Sequence, residues 1–187
     1  LTLDGKGGNA NGLMVAPGTY TAQLYKVGKG EVAVIREAVT VEVVPLRKGA
    51  LKGSDPEVVA AFWRSYEAIG AEANLFDLQF SNAKKTVDKL WIAAQRSSGS
   101  AELLEEGTSV KNELDKIDKK WNGYASRNQI GEKNLPTIGE RLFSIERGVG
   151  SSTYGPTDTH KKTMEIVRKE LSEMQGQLEN IKRTMTA

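Results

Sequence analysis

Residues 56–96 read PEVVAAFWRSYEAIGAEANLFDLQFSNAKKTVDKLWIAAQR, and this stretch decides the fold. Within it Val59, Phe62, Tyr66, Ile69, Ala73, Phe76, Phe80, Ala83, Val87, Leu90 and Ala94 recur every three or four positions. That spacing keeps one face of a helix apolar over many turns, and such a face needs a partner. The start is well marked by Ser54-Asp55-Pro56-Glu57. Asp55 precedes proline and so avoids the α region, which suits an N-cap, and Pro56 suits the first helical position. At 1.5 Å per residue the helix is about 60 Å long.

A second unbroken stripe runs through Met164, Val167, Leu171, Met174, Leu178, Ile181 and Met185. It predicts a helix over about 157–185 with Thr157 as N-cap. A third helix, about 101–122, carries Val110, Leu114, Ile117 and Trp121, although Gly107 weakens its first turns. SSGS at 97–100 separates it from the first helix, and Asn122-Gly123 is a C-cap signal. After a polar stretch at 123–135, Ile138, Leu142 and Ile145 predict a short helix over about 136–147, followed by a loop at 148–156. The class is therefore mainly α. Three long amphipathic helices and a short one, joined by short loops, are expected to pack as an antiparallel helical bundle. Each stripe then finds its partner within the chain, in preference to a coiled-coil dimer seamed on the first helix.

Residues 1–47 read differently. DGKGGNANG at 4–12 is a loop, and Pro17-Gly18 predicts a type II turn. Thr19–Leu24 alternates toward a strand, residues 28–31 make a turn, Val32–Ile35 is a short apolar run, and Val39, Val41 and Val43 alternate in a last strand. Three strands are too few for a sandwich, and a lone hairpin is marginal in water. The expectation is a small β segment, the end of a truncated Ig-like β-domain at 1–47. A basic linker, RKGALKG at 47–53, precedes a helical domain at 54–187.

The 187 residues carry a net charge of +2, with 39% apolar and 27% charged residues, an ordinary globular balance. Residues 1–53 hold seven Lys/Arg against four Asp/Glu; the remaining 19 and 20 leave the helical part near neutral. Nucleic acid or an anionic membrane would call for clustered basic charge, so neither is expected as a partner. The chain has no cysteine, which excludes disulfides, thiolate metal sites and Cys nucleophiles. No apolar run reaches the roughly 20 residues of a membrane span. The first residue is Leu, and the chain reads as a mature piece or a fragment.

No motif selects a reaction. His160 is the only histidine, and without a second His or Cys it makes a poor metal site; it reads as a side chain at a helix N-terminus. The glycine-rich loop at 5–12 lacks the GK[ST] of a phosphate loop and leads into a strand. Acidic residues are plentiful, but pairs such as Asp115–Lys119 and Lys84–Asp88 are spaced as helix ion pairs, and nothing selects a catalytic carboxylate pair. No catalytic, cofactor-binding or metal residue is assigned, and no cofactor is expected. Indole faces stack on sugars, so Trp63, Trp91 and Trp121 offer a sugar platform, but packing at the core or seam is the favoured reading. Trp63 and Trp91, which flank the first stripe, remain interaction candidates. Arg127, Asn128, Glu140 and Arg141 join them, because they lie where a short helix meets its loops.

Three patches, LMVAPGTYTAQLYKV (13–27), LPTIGERLFSI (135–145) and SSTYGPTDTHKK (151–162), occur in an order that resembles one family. They look like the C-terminal region of large bacterial glycosyl-hydrolase-like proteins with BNR or sortilin-type repeats. The resemblance implies a β-propeller upstream, an Ig-like β-domain ending near residue 47, and a helical tail. No catalytic residue carries over, because the matched patches are architectural: Pro17-Gly18 turns the chain, Gly139 permits close helix approach, and Pro156-Thr157 starts the last helix.

The expected function is a non-catalytic structural or interaction region of such a protein. Its partner would be the upstream propeller or another protein, with carbohydrate reached through the parent, and it would be a monomer or weak dimer. Location would be periplasmic, secreted or at the cell surface, by resemblance alone. Two alternatives are a helical region that completes a carbohydrate-binding or hydrolytic cleft on the propeller, and a coiled-coil adaptor unrelated to hydrolases.

Overall fold

The computed structural model describes residues 15–45, 52–96, 101–152 and 154–185, with the backbone alone at Asn128. The expected loop at 4–12, most of the 47–53 linker and the SSGS break at 97–100 lie outside the described residues. Those described are mainly helical: a four-stranded β segment, β1 (Gly18–Ala22), β2 (Tyr25–Gly28), β3 (Glu31–Val34) and β4 (Val39–Val43), precedes five helices. These are α1 (Pro56–Arg96), α2 (Ala101–Trp121), α3 (Ala125–Gln129), α4 (Ile138–Gly150) and α5 (Asp158–Thr184). Among the described residues no helix is long and apolar enough to cross a membrane. The chain divides into two compact units, residues 1–64 with 152–155, and residues 65–151 with 156–187.

The β segment belongs to the first unit. It has four strands rather than three, because Tyr25–Gly28 pairs with Glu31–Val34 as a ladder of its own. Lys29 (φ 51°) and Gly30 (φ 85°) close it, and two successive positive φ values make the two-residue turn whose twist matches antiparallel strands. β1 pairs antiparallel with β4, Tyr20 facing Val41 and Ala22 facing Val39. Gly18 is the first residue of β1 rather than the third of a type II turn, since the ladder already begins at the Gly18–Val43 pair.

The two ladders form one long hairpin interrupted by a bulge. Two residues, 23 and 24, stand against four, 35–38, and the Ile35 N–H donates to the Leu24 carbonyl at 2.9 Å between the ladders. Each ladder has an apolar face. On β1–β4 it holds Tyr20, Ala22, Val39, Val41 and Val43, with Thr19, Thr21, Thr40 and Glu42 on the other side. On β2–β3 it holds Tyr25, Val27, Val32 and Val34. The apolar positions switch from even numbers on β1 to odd on β2, so a straight ribbon would turn these faces to opposite sides. Within this unit these faces are largely open: Val27 is 76% exposed, Val32 67% and Val39 61%.

Elsewhere in this unit the 152–155 segment is tied to the start of α1. Ser54 N–H donates to the Tyr154 carbonyl at 2.9 Å, and Asp55 caps α1 by accepting from Glu57 N–H at 3.1 Å. Gly155 (φ 84°) has no room for a side chain: a Cβ would fall 2.8 Å from Ser54 Cβ and from Val59 Cγ2.

In the second unit the predicted stripes form the core. Ile69, Ala73, Phe76, Phe80, Ala83 and Val87 of α1 are buried, as are all six stripe residues of α5 from Met164 to Ile181. Leu114 and Ile117 of α2 and Ile138, Ile145 and Val149 of α4 complete it. Phe76 and Phe80 stack with parallel rings 5.8 Å apart, and Trp121 meets Phe76 edge-on at 4.8 Å. Contacts climb α1 as they descend α2: Asp77 with Trp121, Lys84 with Asp118, Asp88 with Lys111. α5 packs against both α4 and α2.

The stripes drift at their ends. In the first unit Ala60 and Trp63 are buried while Val59 and Phe62 are only half-buried, and in the second Leu90 is 56% exposed. The polar stretch after Gly123 contains the short α3, and α4 runs to Gly150, through the start of the expected loop. Thr137 and Thr157 both cap as the sequence allows. Each side chain accepts from the backbone N–H three residues on, and Glu140 or His160 returns the bond to the cap N–H.

Candidate functional site

Of the six sequence candidates Trp63 lies in the first unit and the other five in the second, where Glu140 and Arg141 line different cavities. Trp63, in the first unit, is 5% exposed and lies edge-on to Phe62. Trp91, in the second, is half-buried on the last turns of α1, with the Lys111 ammonium 4.3 Å from its ring centre. Gly107 makes room for it, since a Cβ there would stand 3.0 Å from Trp91 Cδ1. The Trp91 indole N–H is buried without a hydrogen-bond partner among the described residues.

Arg127 is exposed on α3 and stacks its guanidinium 4.9 Å from the Tyr124 ring, which Lys119 approaches from α2. Asn128 lies on the same short helix. Asn134 holds the loop beside them closed by bonding the Tyr124 backbone twice, accepting from its N–H and donating to its carbonyl, each at 3.2 Å. A hydrogen bond to Asp115, and that carboxylate's charge, raise the Lys119 ammonium above its ordinary pKa.

Glu140 and Arg141 are neighbours in sequence but serve different surfaces. Glu140 is committed to the α4 cap, its Oε2 accepting from Thr137 N–H at 2.8 Å and from Thr137 Oγ1 at 3.1 Å. Arg141 reaches toward α5, where its Nε forms an ion pair with Glu170 Oε2 at 3.5 Å without making a hydrogen bond. It lines a cavity of about 300 Å³ with Lys120, Tyr124, Asn134, Glu170 and Glu173, a lining that holds both cations and carboxylates.

The groove that Glu140 borders is larger, about 640 Å³, and brings together residues that the sequence reading left apart. Tyr66, Asn74 and Asp77 of α1 face Trp121 and Asn122 at the end of α2, and Ile138 to Glu140 at the start of α4 close it. The Trp121 indole N–H donates to Asp77 Oδ1 at 2.9 Å, which fixes the ring over Phe76. Tyr66 Oη donates to Glu146 Oε2 at 3.2 Å. Burial, the Glu146 charge and that hydrogen bond together push the Tyr66 hydroxyl up to about 12, so it remains a neutral donor at physiological pH. By spacing Trp121 belongs to the α2 stripe and so to the core or seam. No local signal links it to Asp77, 44 positions earlier.

Gly139 does not act as the sequence suggested. A Cβ there would meet nothing within 4 Å, and the close approach on α4 occurs at Gly148 instead. Among the described residues no group of three or more His, Cys, Asp or Glu is placed to hold a metal ion. Comparison with protein-family models, with curated proteins and with solved structures gives no match.

Proposed function

We propose that this chain is a structural and interaction region from the C-terminal end of a larger protein of the BNR or sortilin-type, glycosyl-hydrolase-like class. Its β segment would be the last hairpin of an Ig-like β-domain, and its helices an antiparallel bundle fixing domain geometry against the propeller or a protein partner. The uncovered hairpin carries this reading. Its two ladders each hold a row of apolar side chains in solvent, and a hairpin of this kind is marginal without further strands or a packing surface. Bulges and bends are one device by which strands pass from one sheet to another at the corner of a β structure.

The order of the three sequence patches, from β1 through α4 to the start of α5, supports the family reading. The descending contacts between α1 and α2 support the antiparallel bundle. They disfavour an adaptor dimerising through the α1 stripe, because Ile69 to Val87 of that stripe are already covered within the chain. Monomer or weak dimer, and a periplasmic, secreted or surface location, follow from the same reading.

Two observations test it. Repeats of propeller type encoded upstream of Leu1 would support it, and a start codon directly before Leu1 would contradict it. The isolated chain is predicted not to hydrolyse aryl glycosides; turnover that tracks the purified chain would assign the chemistry here and overturn a non-catalytic role.

A further inference from the structure

We infer that the groove between α1, the end of α2 and the start of α4 binds a neutral carbohydrate, with Trp121 as its stacking wall and Asp77 as its hydroxyl acceptor. Its volume of about 640 Å³ falls within the range of small-ligand sites. No Lys or Arg lines it, whereas Asp77 and Glu140 do, so phosphates, nucleotides and acidic sugars are disfavoured. What remains is two half-buried aromatic side chains, Tyr66 and Trp121, with the amides of Asn74 and Asn122 and the Asp77 carboxylate. Apolar faces beside donor and acceptor groups match a sugar ring, which presents C–H on its faces and hydroxyls at its rim.

The site is held in place before any ligand arrives. The indole cannot turn without losing its bond to Asp77 Oδ1, and Phe76 supports it from the core side. A carboxylate accepts several hydrogen bonds, so holding the indole leaves Asp77 with acceptor capacity for hydroxyl groups. Glu140 is committed to the Thr137 cap, which leaves Asp77 as the lining carboxylate outside a helix cap. Gly70 and Gly139 also line the groove, and a Cβ at either would meet nothing within 4 Å, so the space above both backbones is open. This inference stands apart from the family reading: it concerns the helical unit alone, and either can fail while the other holds.

The test is a titration of the whole 187-residue chain with glucose, galactose, mannose, N-acetylglucosamine and their disaccharides at millimolar concentration. The readout is the Trp121 indole N–H resonance, assigned by its loss in Trp121→Phe. At least one sugar is expected to shift it saturably. Gly70→Leu fills the groove from an open position without touching the core, and it should abolish the shift while leaving thermal stability intact. Asp77→Asn keeps an acceptor for the indole and should weaken binding about tenfold or more, as loss of a charged acceptor does. No saturable shift with any of these sugars overturns the proposal, as does a shift that survives Gly70→Leu. A response confined to a cationic amine, with glucosamine and methylamine as probes, also overturns it.

Discussion

Gly148 on α4 stands directly against the imidazole of His160 on α5: a Cβ at 148 would fall 2.3 Å from Nε2 and 2.9 Å from Cε1. The ring in turn is held by the α5 cap, where Nδ1 accepts from Thr157 N–H at 3.2 Å. One side chain therefore both caps a helix and seats it on its neighbour, and the lone histidine has a structural role.

Gly148→Ala is predicted to destabilise the chain by about 1–3 kcal/mol, the cost of overpacking, although alanine at an ordinary helix position gains. Gly176→Ala on α5, where a Cβ meets nothing, should instead stabilise by about 0.5–1 kcal/mol. His160→Ala removes the returning bond of the cap, worth about 1 kcal/mol. In that background Gly148→Ala should lose most of its cost. Urea unfolding of the unaltered chain and the three variants of the Gly148–His160 cycle, with Gly176→Ala as a control, measures the coupling; additive effects would place the ring elsewhere.

Tyr66 should titrate late. Of the five tyrosines, it is the one that burial and Glu146 push up to about 12. Its folded pKa lies above the unfolded value near 10, so the neutral form is favoured in the folded state. The contribution is present below about pH 10 and is lost as pH rises through about 12. Ultraviolet phenolate titration should show a late step that disappears in Tyr66→Phe, and Glu146→Gln should move that step to lower pH.

The two faces of α1 should differ sharply. Phe76 is 1% exposed and packs against Phe80 and Trp121, so Phe76→Ala is expected to cost about 3–5 kcal/mol. Leu78, two positions on, is 63% exposed, and Leu78→Ala should stay within about 0.5 kcal/mol. Thermal unfolding of both variants checks the orientation of the helix.

Much of the helical part was legible because its signals are local. Asp55 and Thr157 cap where their side chains permit, and six stripe positions of α5 are all buried. Period fails where the environment changes along one helix, and so Leu90 is exposed although it continues the spacing. The hairpin register was hidden for a different reason. Alternation locates Val39 to Val43 as a strand, but the two-against-four bulge that separates the ladders depends on pairing across the hairpin. The groove was least legible of all: Trp121 satisfies the α2 stripe, and only its bond to Asp77 of α1 reveals a second role.

The hairpin at 18–43 depends on cover from outside these residues, while the helical unit is self-sufficient. Hydrogen–deuterium exchange of the chain at low, monomeric concentration tests it most directly. Amides from Thr19 to Val43 should exchange with little protection, while those around Leu171 to Leu178 should exchange slowest. Protection of the hairpin amides equal to that of α5, in the monomer, would contradict it.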